Sequence, residues 1–256
     1  MPIEQITRNN MSVEQPPLAK RYQRTLDAVA EYANQYQGRV STVKLIAVSK
    51  RHNAEKVVEL IKLGHRDFAE NYVQEGVEKI DRVNLALENL AMENRGVENN
   101  ICWHFIGHIQ SRKCTKIAEC FDWVHTVHST KVAEKLNQHR GDRPPLKVLI
   151  QLNLQQELSK SGVCLNELPQ LANAVRELPN LNFRGLMIIP EIEPDFEKQR
   201  AIFRRCRIAL EQLNQQGFNL DQLSMGMTDD MQAAILEGAT QIRIGTAIFG
   251  PRPTQA

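Results

Sequence analysis

Hydrophobic positions along the chain alternate between two periods. Short, nearly continuous apolar runs fall at 43–49, 67–70, 101–105, 123–127, 146–153, 182–188, 222–225 and 241–246. Such runs read as strands buried on both faces. Between them lie stretches with apolar residues three to four apart, at 53–63, 72–92, 111–119, 129–139, 165–176, 195–216 and 228–237. These read as amphipathic helices. A further helical pattern, Leu18 to about Tyr36, precedes the first strand and stops at Gly38, and the tail 247–256 adds a final turn.

Strand followed by helix, repeated, predicts parallel βαβ units, because a parallel connection needs a crossover. Eight strands point to a closed (β/α)8 barrel, a TIM barrel of the α/β class. The structural alternative is an open doubly wound sheet, but no G-x-G-x-x-G follows the first strand. Residues 1–17 are polar, end in Pro16-Pro17 and read as an extension; 18–256 read as one barrel domain.

Composition narrows the class without naming a partner. Lys and Arg total 32 against 30 Asp and Glu, a net charge of +2, which gives no electrostatic footprint for nucleic acid. The longest apolar runs, such as Leu186 to Ile189, are far short of a membrane span, and Met1 to Gln15 has no signal-peptide core. Five cysteines without a C-x-x-C pair fit thiols in a reducing, cytoplasmic compartment.

In a barrel of this kind, chemistry sits at the C-terminal ends of the strands. The first strand ends Ser49-Lys50-Arg51. A lysine there, desolvated or beside a cation, has a lowered pKa and a free amine for Schiff-base chemistry; otherwise it is a solvated strand cap. Asn71 either caps the following helix or offers an amide to a ligand at the barrel top. His104 and His108 have metal-pair spacing, but one lies in a strand and Gly107 separates them, so no metal site is expected. Lys160 and Gly162 make a polar top loop. Met187 is core packing or presses on a flat ring. After the seventh strand, Gly226 permits a close turn and Thr228 opens a helix; Gly245-Thr246 make a second small-residue mouth after the eighth. Phosphate sites in barrels recur between these two loops; otherwise Thr228 is a plain cap and the glycines plain turns, a reading that Asp229 and Asp230 support because they would oppose a phosphate. Arg243 interrupts an apolar strand and, if it faces the lumen, needs an acceptor: a ligand, or a carboxylate such as Glu70.

Taken together, Leu45-Ile46-Ala47-Val48-Ser49-Lys50, Phe68-Ala69-Glu70-Asn71-Tyr72-Val73-Gln74-Glu75, Trp103-His104-Phe105-Ile106-Gly107, Lys160-Ser161-Gly162, Arg184-Gly185-Leu186-Met187, Ser224 through Met231 and Arg243 through Gly250 resemble the YggS/PROSC family of pyridoxal phosphate homeostasis proteins. The resemblance spans roughly residues 18–250. It implies a barrel like the N-terminal domain of alanine racemase, fold type III among pyridoxal phosphate proteins. It implies pyridoxal 5′-phosphate held as an internal aldimine on Lys50. Ser224, Gly226, Met227, Thr228, Gly245 and Thr246 would hold the phosphate, and Arg243 would face the pyridine nitrogen. Asn71 and Met187 complete the expected cofactor set. The chain departs from the family at Arg51-His52-Asn53, Ala69, Arg112 and Thr228, which retains a hydroxyl.

The resemblance also implies a role. Arg243 against the ring nitrogen weakens the electron sink that cofactor catalysis uses. The racemases resembled carry a second domain and a tyrosine base from a partner subunit. Here six residues follow Gly250, and all four tyrosines (Tyr22, Tyr32, Tyr36, Tyr72) precede the third strand. The expectation is therefore a monomeric, cytoplasmic carrier or regulator of vitamin B6, with no catalytic residues, that serves apo-enzymes needing the cofactor. The rivals are a racemase or decarboxylase using the same cofactor, a cofactor-free Schiff-base aldolase, and a module that binds no cofactor.

Overall fold

A computed structural model describes residues 16–36, 43–92, 100–155 and 161–252. Gly38, Lys160 and residues 1–15 of the polar extension lie outside the described residues.

Eight strands close into one parallel barrel in sequence order: β1 (Lys44–Val48), β2 (Asp67–Glu70), β3 (Cys102–Phe105), β4 (Trp123–Val127), β5 (Leu146–Leu152), β6 (Leu181–Ile188), β7 (Gln222–Ser224) and β8 (Gln241–Ile244). Closure is made by β8 pairing with β1, Lys44 to Gln241 through Ala47 to Ile244. The open-sheet alternative is thereby excluded.

Helices follow the strands: α2 (Ala54–Lys62), α3 (Val73–Met92), α4 (Cys114–Cys120) after a 3-10 turn at Ser111–Lys113, α5 (Thr130–Arg140), α6 (Leu168–Arg176), α7 (Phe196–Gln215), α8 (Met231–Leu236) and α9 (Thr246–Phe249). The leading helix α1 (Leu18–Gln35) packs beside the last, with Arg21 Nε donating to the Ile248 carbonyl at 2.8 Å. Local chemistry starts several helices: the side chains of Asn53, Ser129 and Asp195 accept from the backbone amides of Lys56, Val132 and Lys198.

Alternation along each strand sorts the core into two parts. Leu45, Ala47, Ile242 and Ile244 point outward into the layer shared with the helices. Ile46, Val48, Ala69 and Ile106 form one cluster inside the lumen, and Trp123, Leu149 and Met187 another. A small set of buried polar residues, His104, His125, Ser224 and Arg243, also lies within the barrel.

Candidate functional site at the barrel mouth

The C-terminal ends of the strands bring the expected residues to one end of the barrel. Lys50 follows β1 by two residues, half-buried, on the lumen parity of Ile46 and Val48. Burial lowers its pKa first, then Arg252 and Arg51; Glu70 opposes, and Arg243 also lowers it. The amine is therefore desolvated and cation-flanked, so the neutral form is more accessible than for a surface lysine. Arg51, next in the chain, holds φ at +62°, the only non-glycine with a left-handed backbone among the described residues. Its amide donates to Glu75 on α3.

Asn71 lies just beyond β2. The helix begins at Val73, and Asn71 Oδ1 is buried without a hydrogen-bond partner, so the amide does not serve as a cap. Gly107 explains how the next strand exits beside it: a Cβ there would lie 1.9 Å from the Asn71 carbonyl oxygen. His104 and His108 separate, as their sequence context predicts. His104 is inside the barrel, while His108 is exposed, bonded to Ser161 at 2.7 Å and stacked on His128.

The loop after β7 turns at Gly226, φ +95°, where a Cβ would meet Ala234 Cβ at 2.7 Å. The helix expected from Thr228 starts later, at Met231. Asp230 accepts from the Met227 amide and stands at the cap position, which leaves Thr228 exposed in the preceding turn. That amide is thus already taken by the chain's own carboxylate. Burial pushes the Asp230 carboxyl up, opposed by that amide and by Arg243.

The eighth strand is also shorter than expected, ending at Ile244. Gly245 turns out of the sheet beside Val48, and Thr246 is the first residue of α9.

Arg243 is 3% exposed and does not reach Glu70. Its guanidinium donates to Ser224 Oγ at 2.7 Å and to the Ile188 carbonyl at 2.9 Å. Burial pulls it down to about 10, with Asp230 opposing, so it remains a cation at neutral pH. Glu70 is held elsewhere, by Ser49 Oγ at 2.6 Å and by Lys79. Met187 is fully buried against Trp123 and Leu149.

Sequence reasoning missed His125, which the barrel places between His104 and Ser224. Its signal was available: a histidine inside the apolar run 123–127, two residues from Trp123 and therefore on the same side of the strand. Among the described residues one group could ligate a metal: Asp67, Cys102 and His104, below the mouth. The Lys44 ammonium already lies 2.8 Å from the Asp67 carboxylate there.

Known proteins share this architecture closely. The family model described as the N-terminal domain of alanine racemase matches residues 25–253. The pyridoxal phosphate homeostasis protein of Vibrio cholerae serotype O1 is 48% identical over 234 residues, covering 89% of this chain and 93% of that one. Its counterpart in Escherichia coli K12 is 46% identical over 212 residues, covering 82% and 86%. The structure of PipY from Synechococcus elongatus PCC7942 with PLP bound is 34% identical with a TM-score of 0.73, covering 91% of this chain and 100% of PipY. Alanine racemase from Corynebacterium glutamicum shares the fold alone: 18% identity, a TM-score of 0.58, and 90% and 63% coverage. The chain belongs to the pyridoxal phosphate homeostasis protein family, built on the alanine racemase N-terminal domain barrel.

Proposed function

We propose that this chain binds pyridoxal 5′-phosphate at the barrel mouth through Lys50 and acts in cofactor homeostasis rather than in turnover. The observation that carries this reading is the Lys50 amine, half-buried at the end of β1, its pKa lowered by burial and flanking cations, in a chain whose relatives are named for this cofactor.

The residues present suit such a ligand. Asn71 Oδ1 is a buried acceptor without a partner at the mouth. Gly226 lets the loop after β7 turn tightly against α8, where a Cβ would press on Ala234. When bound, the cofactor supplies an aldehyde that bonds covalently to an amine and a ring that withdraws electrons. Lys50 is the amine positioned for it. Met227, Thr228, Gly245 and Thr246 line the two loops assigned to the phosphate, with Gly226 shaping the first. Arg243 can only donate hydrogen bonds. Facing a ring nitrogen, it would keep that nitrogen an unprotonated acceptor, which weakens the ring as an electron sink. Ser224 supports Arg243 from within the lumen.

The same reading takes 18–256 as the binding domain and 1–17 as an accessory extension, a monomer in the cytoplasm, and apo-enzymes as recipients of the cofactor. Among the described residues no helix is long and apolar enough to cross a membrane. Incubating the chain with pyridoxal 5′-phosphate and following imine absorbance tests binding. Assaying D/L interconversion and decarboxylation of amino acids against a cofactor-only control tests the absence of turnover. Exchange well above that control would replace the carrier reading by an enzymatic one.

A further inference from the structure

A line of hydrogen bonds crosses the lumen beneath the mouth, from β2, β3 and β4 over to β7 and β8. Asp67 Oδ1 on β2 is 3.2 Å from His104 Nε2 on β3. His104 Nδ1 is 2.9 Å from His125 Nε2 on β4, and His125 Nδ1 is 2.8 Å from Ser224 Oγ on β7. Arg243 on β8 donates to the same Ser224 oxygen at 2.7 Å. Lys44 closes the outer end, donating to Asp67 Oδ1 at 2.8 Å. His104, His125 and Ser224 are completely buried. Barrel interiors are filled mainly by branched apolar side chains, so packing alone does not call for this row.

The outer end sets the direction of every bond. Burial raises the Asp67 carboxyl, but the bonds from His104 and Lys44 outweigh it and hold it below the usual carboxylate range. An ionised carboxylate only accepts. Cys102 Sγ lies 3.4 Å from the same Nε2, but a bare nitrogen there would face an ionised carboxylate at 3.2 Å, so His104 carries its proton on Nε2 and leaves Nδ1 bare. His125 must donate to that nitrogen from Nε2, which leaves its own Nδ1 as an acceptor. Ser224 donates its proton to His125, and its lone pairs accept from Arg243. Both rings must be neutral for this, and burial holds His104 below the usual histidine range and His125 well below it. The pattern also leaves no lone pair on His104 Nε2 for a metal.

Two consequences follow. The Ser224 proton is committed to His125, so this hydroxyl is not a donor to a phosphate. And a buried cation with two neutral acceptors, Ser224 Oγ and the Ile188 carbonyl, is linked through neutral groups to the Asp67 carboxylate. Hydrogen-bonded rows polarise one another in a low-dielectric interior, which strengthens such a link.

We propose that His125, backed by His104 and Asp67, is a positioning residue: by fixing the Ser224 proton it holds the Arg243 guanidinium in place against the cofactor ring. This inference rests on the cofactor-binding reading above, and its test separates the two.

The relay is tested first on the cofactor-free chain. Nitrogen-15 NMR at neutral pH should show both His104 and His125 as neutral Nε2–H tautomers; an Nδ1–H tautomer or an imidazolium at either overturns the relay, whatever the chain binds. The loaded chain tests the consequence. His125→Phe should shift the absorbance maximum of bound pyridoxal 5′-phosphate and weaken its binding about tenfold. His125→Asn, which keeps an acceptor and a donor, should restore both in part. Ser224→Ala removes a single oxygen and should reproduce the His125→Phe change; it also carries the test if the aromatic variant does not fold. Unchanged spectrum and affinity in Ser224→Ala would overturn the positioning role. A wild-type chain that takes up no cofactor would overturn the binding reading and the ring-facing role with it, while the tautomers still decide the relay.

Discussion

Lys79, on α3, donates from Nζ both to Glu70 Oε1 at the end of β2 and to the Ser49 carbonyl, the latter at 2.7 Å. Ser49 is the residue before Lys50, so one buried ammonium ties two strand ends together directly behind the proposed binding lysine. The side chains of Lys79 and Glu70 are 4% and 0% exposed. Removing one partner of such a pair leaves a buried charge uncompensated, which typically destabilises by about 3–5 kcal/mol. Lys79→Met should lower unfolding stability by that order in urea titrations. Combining it with Glu70→Gln should recover much of the loss. A single variant of wild-type stability would show that the clamp holds nothing.

Gly226 combines two constraints that a second glycine separates. Gly64 has nearly the same backbone angle, φ +93°, with nothing within 4 Å of a built Cβ, whereas at Gly226 the Cβ would press on Ala234. Gly64→Ala should therefore show only the backbone penalty, about 1–2 kcal/mol. Gly226→Ala should lose more stability and also weaken binding of pyridoxal 5′-phosphate, because the loop must shift to clear α8. Calorimetric titration of both variants checks this; equal affinities would remove Gly226 from the site.

His52, two residues past Lys50, stacks on Phe249 with ring centroids 5.1 Å apart. Burial, then the cations Lys56, Lys79 and Arg252, bring its pKa down to about 4. An unfolded histidine titrates near 6.5. Between these values the unfolded chain binds the extra proton, so His52 contributes stability above about pH 6.5 that is lost as pH falls toward 4. Urea midpoints measured across that window should decline for the wild type and decline less for His52→Phe. Parallel curves would assign the acid limb to other groups.

The strands and helices were legible because burial on both faces and three-to-four spacing are local signals. Lys50, Asn71, Gly226, Gly245 and Thr246 could be placed at one end of the barrel for the same reason, since the ends of apolar runs mark the mouth. Contacts set by closure could not. His125 meets Ser224 across 99 positions of sequence, and only the barrel brings the strands' inner faces together. Of the two acceptors weighed for Arg243, a ligand or a carboxylate such as Glu70, the protein carboxylate is not what it meets: a hydroxyl and a carbonyl accept. The helix placed at Thr228 starts at Met231 because Asp230 turns back onto the Met227 amide, a local bond that apolar spacing does not register.

The proposed binding site stands on the Lys50 amine. The direct measurement is borohydride reduction of the chain incubated with pyridoxal 5′-phosphate, followed by peptide mass spectrometry and by the absorbance of Lys50→Ala. One reduced adduct, on Lys50, is expected, with loss of both adduct and imine absorbance in Lys50→Ala. A full adduct on another lysine, or an unchanged spectrum in that variant, would contradict it.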